Sequence, residues 1–278
     1  MPVRSTGRIA ACAAVLCAVL GGCTGAPAGP PPSAPPTTAP PPATPPPPSA
    51  SPNAVPSGAG QPNRTPVVVL DAGHNGGNAT HLAAINKPVP DGRGGTTPCN
   101  TTGTATDAGY PEHAFTFDVT ARVRTRLVAA GVRVVTTRPD DAGVGPCVDE
   151  RGRAGAKADA DAVVSIHADG AAAADRGYHV ALSAPPLNPA QTGPARLLGE
   201  RIRDAMRAAG FPDSDYLGRN GLSPRPDLAG LNLATRPAVL VECANMRNPT
   251  EAALVSSTAG RERYAAAISA GILAFLGR

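Results

Sequence analysis

A long proline-rich stretch limits which part of this 278-residue chain can fold. Residues 24–65 contain no aromatic side chain and one charge, Arg64, while Pro, Ala, Ser, Thr and Gly dominate. Such a segment buries too little apolar surface to offset the entropy lost on folding. We therefore expect residues 23–65 to form a disordered tether. Residues 66–278 have a length that suits one α/β domain.

The segment before this stretch has the pattern of an export signal. Two arginines precede an apolar run over residues 9–20, which is too short for a comfortable transmembrane helix. The run ends in "LGGC", which resembles a bacterial lipobox, with Cys23 as the lipidated residue. We expect residues 1–22 to be a signal peptide and a lipid on Cys23 to anchor the protein to the outer face of the cell membrane. The alternative is an ordinary cleaved signal with a spare cysteine.

The composition argues against several functions. The net charge is +4 without a basic run or a basic helix face, so no nucleic-acid partner is expected. Tryptophan is absent and aromatic residues make up 3% of the chain, which argues against large aromatic platforms for sugars or bases. No strong interface pattern is visible, so we expect a monomer.

Three cysteines fall in the predicted domain, and export permits disulfide bonds. Cys99 and Cys147 both lie in loops rich in Gly and Pro, and we predict that they pair. Sequence alone does not fix that connectivity. Cys243 follows an apolar segment and is predicted to be a buried free thiol.

Strands and helices are predicted to alternate along the domain. Short apolar runs suit strands buried on both faces, and one long segment carries Phe115, Val119, Val123 and Leu127 four residues apart, as on one face of a helix. The predicted strands are 67–71, 132–137, 161–166, 178–182 and 237–241, and the predicted helices are 111–130, 150–157, 191–209 and 259–276. This alternation predicts an α/β fold, a single domain whose mostly parallel twisted sheet is covered by helices on both faces.

Side chains that can bind a metal follow three of the predicted strands. His74 comes just after the first strand, His167 ends the third, and Glu242 ends the last. Because the carboxyl ends of parallel strands share one edge of a sheet, we expect these groups to meet there. Asp71, at the end of the first strand, either orients a ligand or satisfies the turn. The glycines around His74 are expected to let backbone and substrate approach closely.

Glu112 is expected to join this group. It lies three residues before Phe115, on the buried stripe of its helix, where a carboxylate needs a partner such as a metal. Two imidazoles and a carboxylate form a recurrent catalytic zinc set. We therefore predict that His74, Glu112 and His167 bind Zn²⁺ at the C-terminal edge of the strands. Glu242 is then the general base toward a water molecule.

Each of these residues alone has a plainer interpretation. A histidine at a strand end is often only structural, Glu112 could simply favour the positive end of its helix, and Glu242 could pair with a buried arginine. His113 is a rival ligand, although one helical step turns it away from the stripe. His81 and His179 are interpreted as structural or solvent-facing. The convergence of four groups on one edge favours the metal site.

These segments resemble the zinc-dependent N-acetylmuramoyl-L-alanine amidases of the third amidase family. The resemblance covers essentially the whole domain and rests on "LDAGHNGG", "PEHAFTFDVTARVRTRL", "VVTTRPDD", "ERGRAGAKADADAVVSIHAD" and "RPAVLVECANMRNPTEAALV", in that order. By position, the family's zinc ligands fall on His74, Glu112 and His167, and its catalytic glutamate on Glu242. The resemblance implies hydrolysis of the amide between the lactyl group of N-acetylmuramic acid and L-alanine in peptidoglycan or its fragments.

The chain departs from the family's pattern at three positions: Ala72 replaces a proline, Asn75 a glycine and Asp169 an asparagine. None of these changes removes a ligand or the base. The loop over residues 75–110 is longer than in minimal members, and its composition predicts a stapled loop that shapes the cleft. Two other functions stay open: another zinc amide hydrolase, such as a carboxypeptidase or deacetylase, and a non-catalytic tethered module that binds wall fragments or activates a partner.

Overall fold

A six-stranded sheet organises the part of the chain that the computed structural model describes, residues 64–278. The predicted signal peptide, Cys23 and nearly all of the predicted tether lie outside the described residues. The strands are β1 (Val67–Ala72), β2 (Pro88–Pro90), β3 (Thr96–Pro98), β4 (Arg133–Thr136), β5 (Ala162–Asp169), β6 (His179–Ser183), β7 (Leu222–Arg225) and β8 (Ala238–Asn245). The helices are α1 (Leu82–Ile85), α2 (Glu112–Ala129), α3 (Val148–Lys157), α4 (Pro189–Thr192), α5 (Pro194–Ala208), α6 (Ala229–Asn232), α7 (Pro249–Ser256) and α8 (Thr258–Phe275).

The sheet is mostly parallel, as predicted from the sequence. Its strand order is β4-β1-β5-β8-β6-β7, and every neighbouring pair is parallel except β8 and β6. Strand β1 is buried along its whole length, which explains why its sequence is apolar without alternation. The four parallel strands end together at one edge, and this edge carries the predicted site.

Helices cover both faces of the sheet. Helices α2, α5 and α8 pack on one face around the larger apolar core, and the predicted stripe of α2 is fully buried there. Helices α3 and α6 pack on the opposite face over a smaller apolar cluster. The fold class predicted from the sequence is therefore confirmed.

The structure differs from the sequence prediction in several connections. The helix predicted over residues 191–209 is two helices, because α4 ends at Thr192 and Pro194 opens α5. Helix α7, the short edge strand β7 and the separate β2–β3 hairpin were not predicted. Asn248 caps α7 and Pro249 is its first residue, and this pair is a local sign of a helix start that a search for hydrophobic periodicity does not detect.

The long loop after β1 is partly structured. It contains a 3-10 turn (Asn78–Thr80), helix α1 and the antiparallel β2–β3 hairpin. Cys99, just after the hairpin, is joined by a disulfide to Cys147, the pair predicted from the sequence. Cys243 is a buried free thiol. Within residues 64–278, no helix combines the length and apolarity needed to cross a bilayer.

Candidate functional site

Three side chains that can bind a metal meet at the carboxyl end of the parallel strands. One ligand atom from each of His74, Glu112 and His167 lies within 4.8 Å of the other two. Glu112 sits between the histidines: its Oε2 is 3.0 Å from Nε2 of His74, and its Oε1 is 3.0 Å from Nδ1 of His167. The structure thus brings together the three residues predicted as ligands.

His74 is held in an uncommon backbone conformation just past the end of β1. Its φ of 57° lies in the left-handed region, which costs energy in a residue other than glycine and is a form of backbone strain that clusters at active sites. The carbonyl oxygen of Thr101 lies 3.2 Å from Nδ1 of the ring. That carbonyl favours a proton on Nδ1 and leaves Nε2 free to bind a metal, which is the usual arrangement of a metal-binding histidine.

Glu112 is the first residue of α2 and is buried. Its carboxylate accepts hydrogen bonds from the backbone N–H groups of Thr104 (3.0 Å) and Ala168 (3.1 Å). Burial alone would raise the pKa of Glu112, but the neighbouring imidazoles of His74 and His167 hold it well below its ordinary value. The carboxylate is therefore charged and fixed in place, as a metal ligand must be.

Gly73 makes room for His167. A Cβ atom on Gly73 would lie 2.3 Å from Cε1 of the His167 ring, closer than any real contact. Gly76 and Gly77 pack against backbone instead. A Cβ atom on Gly76 would lie 2.0 Å from the carbonyl oxygen of residue 141, and one on Gly77 would lie 2.6 Å from that of residue 143. From the sequence, these glycines were expected to admit substrate as well. The structure instead shows them accommodating the protein's own ring and backbone.

Two buried arginines hold the turn that carries His74. Arg151 of α3 donates to the carboxylate of Asp71 and to the carbonyl oxygens of Ala72 and His74. Arg138, after β4, donates to the carbonyl oxygens of Ala72 (3.0 Å) and Gly73 (3.3 Å). Because the carbonyls of three successive residues are occupied in this way, the turn has a defined position despite its strained backbone.

Asp71 serves the turn rather than a ligand. Besides Arg151, its carboxylate accepts hydrogen bonds from the hydroxyl groups of Thr137 and Ser165. Burial would raise the pKa of Asp71, but Arg151 and the two hydroxyls outweigh it and lower the pKa to about 2. Of the two roles left open for Asp71, the structure supports the structural one.

Glu242 lies next to His167 on the neighbouring strand. The two residues are in register between β5 and β8, so their side chains share one face of the sheet. Among residues 64–278, Oε2 of Glu242 is buried without a hydrogen-bond partner, and the residue also lines a cavity. Burial and the charges of Glu112 and Asp169 raise the pKa of Glu242 well above its ordinary value, although Arg225 opposes the shift. No ion pair with an arginine forms within the described part of the chain.

A cavity of about 500 Å³ opens beside these residues. It extends from the two histidines along the α3/α6 face of the sheet, with Ser165 and Leu240 among its lining residues and β3 and α6 contributing others. The candidate site therefore lies on the face of the sheet near its edge, because both β5 and β8 continue past His167 and Glu242. Within the described residues, no Phe, Tyr or Trp side chain lines this cavity.

The other histidines lie outside this group. His113 pairs with Asp141, with Nδ1 2.8 Å from Oδ2, so the rival ligand is occupied elsewhere. His81 is exposed and its ring contacts the carbonyl oxygen of Gly77. His179 is fully buried, which leaves the structural one of the two interpretations given for it.

Sequence reasoning missed the residues that hold the candidate ligands in place. Thr101, Thr104 and Arg151 all contact a ligand or its backbone, yet each lies in a loop or helix without a signal of its own. Arg151 belongs to the quoted segment "ERGRAGAKADADAVVSIHAD", but nothing local to the sequence marks it as the buried arginine of that segment.

The three side chains offer the donor types of a metal site, and zinc is a metal that such donors suit. Two nitrogens and one oxygen are the donors of several catalytic zinc sites, and zinc bonds of ~2.0–2.2 Å place neighbouring donors roughly 3.3 Å apart. Glu112 lies 3.0 Å from each ring, through a different oxygen in each case, and one ligand atom from each of the three residues lies within 4.8 Å of the others. Because the trio lines the cavity together with Glu242, a coordination position can face a water molecule or a substrate.

Comparisons with known proteins find a matching family and similar sequences and structures. The N-acetylmuramoyl-L-alanine amidase family matches residues 68–274. The N-acetylmuramoyl-L-alanine amidase Rv3717 of Mycobacterium tuberculosis is 49% identical over 210 residues, which are 76% of this chain and 86% of the relative. Two solved amidases named Ami1 each superpose with a TM-score of 0.74 over 76% of this chain. The one from Mycobacterium smegmatis is 53% identical and covered to 97%, and the apo form from Mycobacterium abscessus is 49% identical and covered to 98%.

Proposed function

The chain belongs to the N-acetylmuramoyl-L-alanine amidase family, and from this premise we propose that its site hydrolyses the muramyl amide with the help of a zinc ion. The bond is the one that joins the lactyl group of N-acetylmuramic acid to L-alanine in peptidoglycan. Its cleavage separates the stem peptide from the glycan. The single observation that carries the mechanism is the position of an unpaired glutamate, Glu242, beside a His-Glu-His trio at a cavity.

We propose His74, Glu112 and His167 as the ligands of this ion. When bound, zinc polarises the amide carbonyl as a Lewis acid and lowers the pKa of water. The protein's contribution is to hold the donors still. Thr101 orients the ring of His74, Gly73 admits the ring of His167, and two backbone N–H groups fix Glu112.

Glu242 is proposed as the general base and then the general acid. A carboxylate that lines the cavity can take one proton from the attacking water while the new C–O bond forms. The same proton then passes to the nitrogen of L-alanine as the C–N bond breaks. The second proton of the water stays on the new carboxyl group, so the products are a lactyl carboxylic acid on the sugar and a peptide with a free amine, which ionise to carboxylate and ammonium; atoms and charge balance. Burial beside Glu112 raises the pKa of Glu242 and makes it a stronger base than an exposed glutamate.

The presence of an unpaired carboxylate, Glu242, beside the three candidate metal ligands distinguishes this proposal from the non-catalytic alternative. A non-catalytic wall-binding module has no use for an unpaired buried carboxylate, since leaving such a group without a partner costs stability. A zinc carboxypeptidase or deacetylase would use similar groups, so the bond that is cut must be measured.

Product analysis tests the proposal. Residues 66–278, loaded with zinc, are incubated with muropeptides and the products are identified by mass spectrometry. We expect a free muramyl sugar and an intact peptide that begins with L-alanine. Release of D-alanine or of acetate would contradict the amidase reaction and support a carboxypeptidase or a deacetylase, respectively.

We also propose that the enzyme acts at the outer face of the bacterial cell membrane. The support is the sequence of residues 1–22 as a signal peptide, Cys23 as a lipidation site and residues 23–65 as a tether. A tether of this kind would keep the domain close to the wall and raise its effective concentration there. Cys23→Ser should abolish labelling by a radioactive fatty acid and release the protein from the membrane fraction. Sedimentation of the domain is expected to give the mass of a monomer.

A further inference from the structure

The residues that precede His167 and Glu242 along their strands continue into the cavity as rows across the sheet. His167 and Glu242 are in register between β5 and β8, and two positions earlier Ser165 and Leu240 are in register on the same face. Successive rows are separated by about 6.6 Å along the strands. All four residues line the cavity, so the candidate ligand and the candidate base stand at the top of one wall of it.

The row that contains Ser165 and Leu240 is polar on one side and apolar on the other. Asp71 faces Ser165 on the neighbouring strand β1, and the Ser165 hydroxyl donates a 2.6 Å hydrogen bond to its carboxylate. These two polar groups therefore satisfy each other. On the other side, Leu240 lies directly below Glu242 and is faced by Ala181 of β6. Below Glu242 the cavity wall thus offers apolar contact.

The space below Glu242 is larger than a methyl group requires. The next row of the wall, Val163 and Ala238, is apolar as well, and Leu228 and Leu231 line the same cavity from the α6 side. The cavity volume of about 500 Å³ lies in the range of pockets that enclose a whole small molecule. A larger aliphatic group would cover apolar surface there that the side chain of alanine leaves in contact with water.

The proposed reaction places one side of the substrate above Leu240. Glu242 passes a proton to the nitrogen of the amide, so this nitrogen must come within hydrogen-bond reach of the Glu242 carboxylate. The carbonyl oxygen of the amide faces the three candidate metal ligands, which lie on the β1 and β5 side. The amino acid that carries the nitrogen therefore lies over β8, and its side chain is attached one bond from that nitrogen.

We propose that Leu240, together with Leu228 and Leu231, forms a specificity pocket for the side chain of the amino acid whose nitrogen is released, and that this pocket takes aliphatic side chains larger than that of alanine, leucine among them. This inference rests on the proposed function. One methylene group in an apolar pocket changes kcat/KM by about 10- to 200-fold. A leucine in this position should therefore be preferred over alanine.

A pair of substrates tests the pocket in the wild-type protein. Two synthetic N-acetylmuramoyl dipeptides that differ only in the first residue, L-alanine or L-leucine, are incubated with the zinc-loaded protein. We expect kcat/KM to be higher for the L-leucine substrate, by about 10-fold. A kcat/KM for the L-leucine substrate that equals or falls below the value for L-alanine would overturn the proposal.

A variant that fills the pocket tests the position of the side chain. In Leu240→Trp, the ratio of kcat/KM for the L-leucine substrate to that for the L-alanine substrate should fall by about 10-fold. Leu82→Trp is the control, because Leu82 is 53% exposed on α1, outside the cavity lining, and it should keep the wild-type ratio. An unchanged ratio in Leu240→Trp, or an equal fall in Leu82→Trp, would contradict the pocket. The wild-type comparison remains decisive if Leu240→Trp does not fold.

Binding without turnover separates this inference from the proposed function. In Glu242→Gln, which lacks the candidate base, titration calorimetry should give a lower Kd for the L-leucine dipeptide than for the L-alanine dipeptide. Equal values, or tighter binding of the L-alanine dipeptide, would contradict the pocket even in an active amidase. A wild-type protein that cuts neither substrate, while Glu242→Gln still prefers the L-leucine dipeptide, would contradict the proposed reaction and leave the apolar pocket in place.

Discussion

The ring of His167 packs directly against the backbone of Gly73. A Cβ atom at position 73 would lie 2.3 Å from Cε1 and 2.5 Å from Nε2 of that ring. His167 lies in β5 and Gly73 directly follows the adjacent parallel strand β1, and Gly73 donates its N–H to the carbonyl oxygen of Ile166. A single missing methyl group thus allows one candidate ligand to sit beside the turn that carries the other, His74.

This contact predicts that Gly73→Ala damages metal binding. The methyl group must displace the His167 ring, so we expect zinc affinity to fall by about 10- to 100-fold, as it does when groups that orient metal ligands are lost. Titration calorimetry with zinc measures the change. Gly193→Ala is the matched control, because a Cβ atom there meets nothing within 4 Å among the described residues. Equal zinc affinity in Gly73→Ala and wild type would show that the ring can move without cost.

Zinc retention is expected to differ between variants of two adjacent residues of α2, Glu112 and His113. Glu112→Ala removes the carboxylate that lies 3.0 Å from both candidate imidazoles and should sharply weaken zinc retention. His113→Ala should retain zinc at the wild-type stoichiometry, because His113 pairs with Asp141 instead. Metal analysis after gel filtration checks both. If the two variants exchanged these results, His113 rather than Glu112 would be the ligand.

Asp71 predicts a defined dependence of stability on pH. Its pKa falls from an ordinary 3.8 to about 2 in the folded protein, so the folded state binds this proton less readily than the unfolded state. The resulting stability is fully present above pH 3.8 and is lost as the pH falls through 2. At pH 7, Asp71→Asn should lower the free energy of unfolding by about 2–4 kcal/mol, because it also leaves Arg151 without its buried partner.

Urea unfolding at several pH values tests that expectation. The difference between wild type and Asp71→Asn should shrink as the pH is lowered from 4 toward 2. Asp204→Asn, which breaks an exposed ion pair with Arg203, serves as the control and should change the unfolding free energy by less than about 1 kcal/mol. A constant difference between Asp71→Asn and wild type across this range would contradict the shifted pKa.

The disulfide is predicted to support the metal site as well as the fold. Cys99 lies two residues before Thr101, whose carbonyl oxygen orients His74, and the bridge closes a loop with a sequence separation of 48 residues. Replacing both Cys99 and Cys147 by serine should lower the free energy of unfolding by about 2–4 kcal/mol. It should also weaken zinc binding, because the Thr101 carbonyl is then less firmly held. If calorimetry finds that the double variant is less stable but binds zinc with wild-type affinity, the disulfide stabilises the fold and does not support the metal site.

The core of this fold could be predicted from the sequence because the hydrophobic patterns that mark its strands and helices are local and recur along the chain. The buried apolar runs around Val67 and Val239 and the four-residue spacing of the α2 stripe each point to one type of element. The order of these elements along the chain then predicts a parallel sheet and places His74, His167 and Glu242 at one end of it. The family resemblance supplied the same residues independently.

The contacts that hold the site together could not be predicted in this way. Thr101 and Arg151 reach His74 from loops and helices 27 and 77 residues away along the chain. The Thr101 contact depends on the path of the loop after β1, which contains too much Gly and Pro to show a hydrophobic periodicity. The Arg151 contact depends on how α3 packs against the sheet. The antiparallel direction of β6 was also hidden, since a short buried strand has the same sequence pattern in either direction.

The measurement that tests the account most directly is the activity and metal content of Glu242→Ala beside the wild-type domain. We predict that wild-type protein binds one zinc ion and releases an L-alanine-led peptide from muropeptides. Glu242→Ala should bind the same amount of zinc and lose at least about 10²-fold in kcat. A variant that keeps near-wild-type turnover with zinc in place would contradict the assignment of Glu242 as the base, and a wild-type domain that binds no zinc would contradict the proposed metal site.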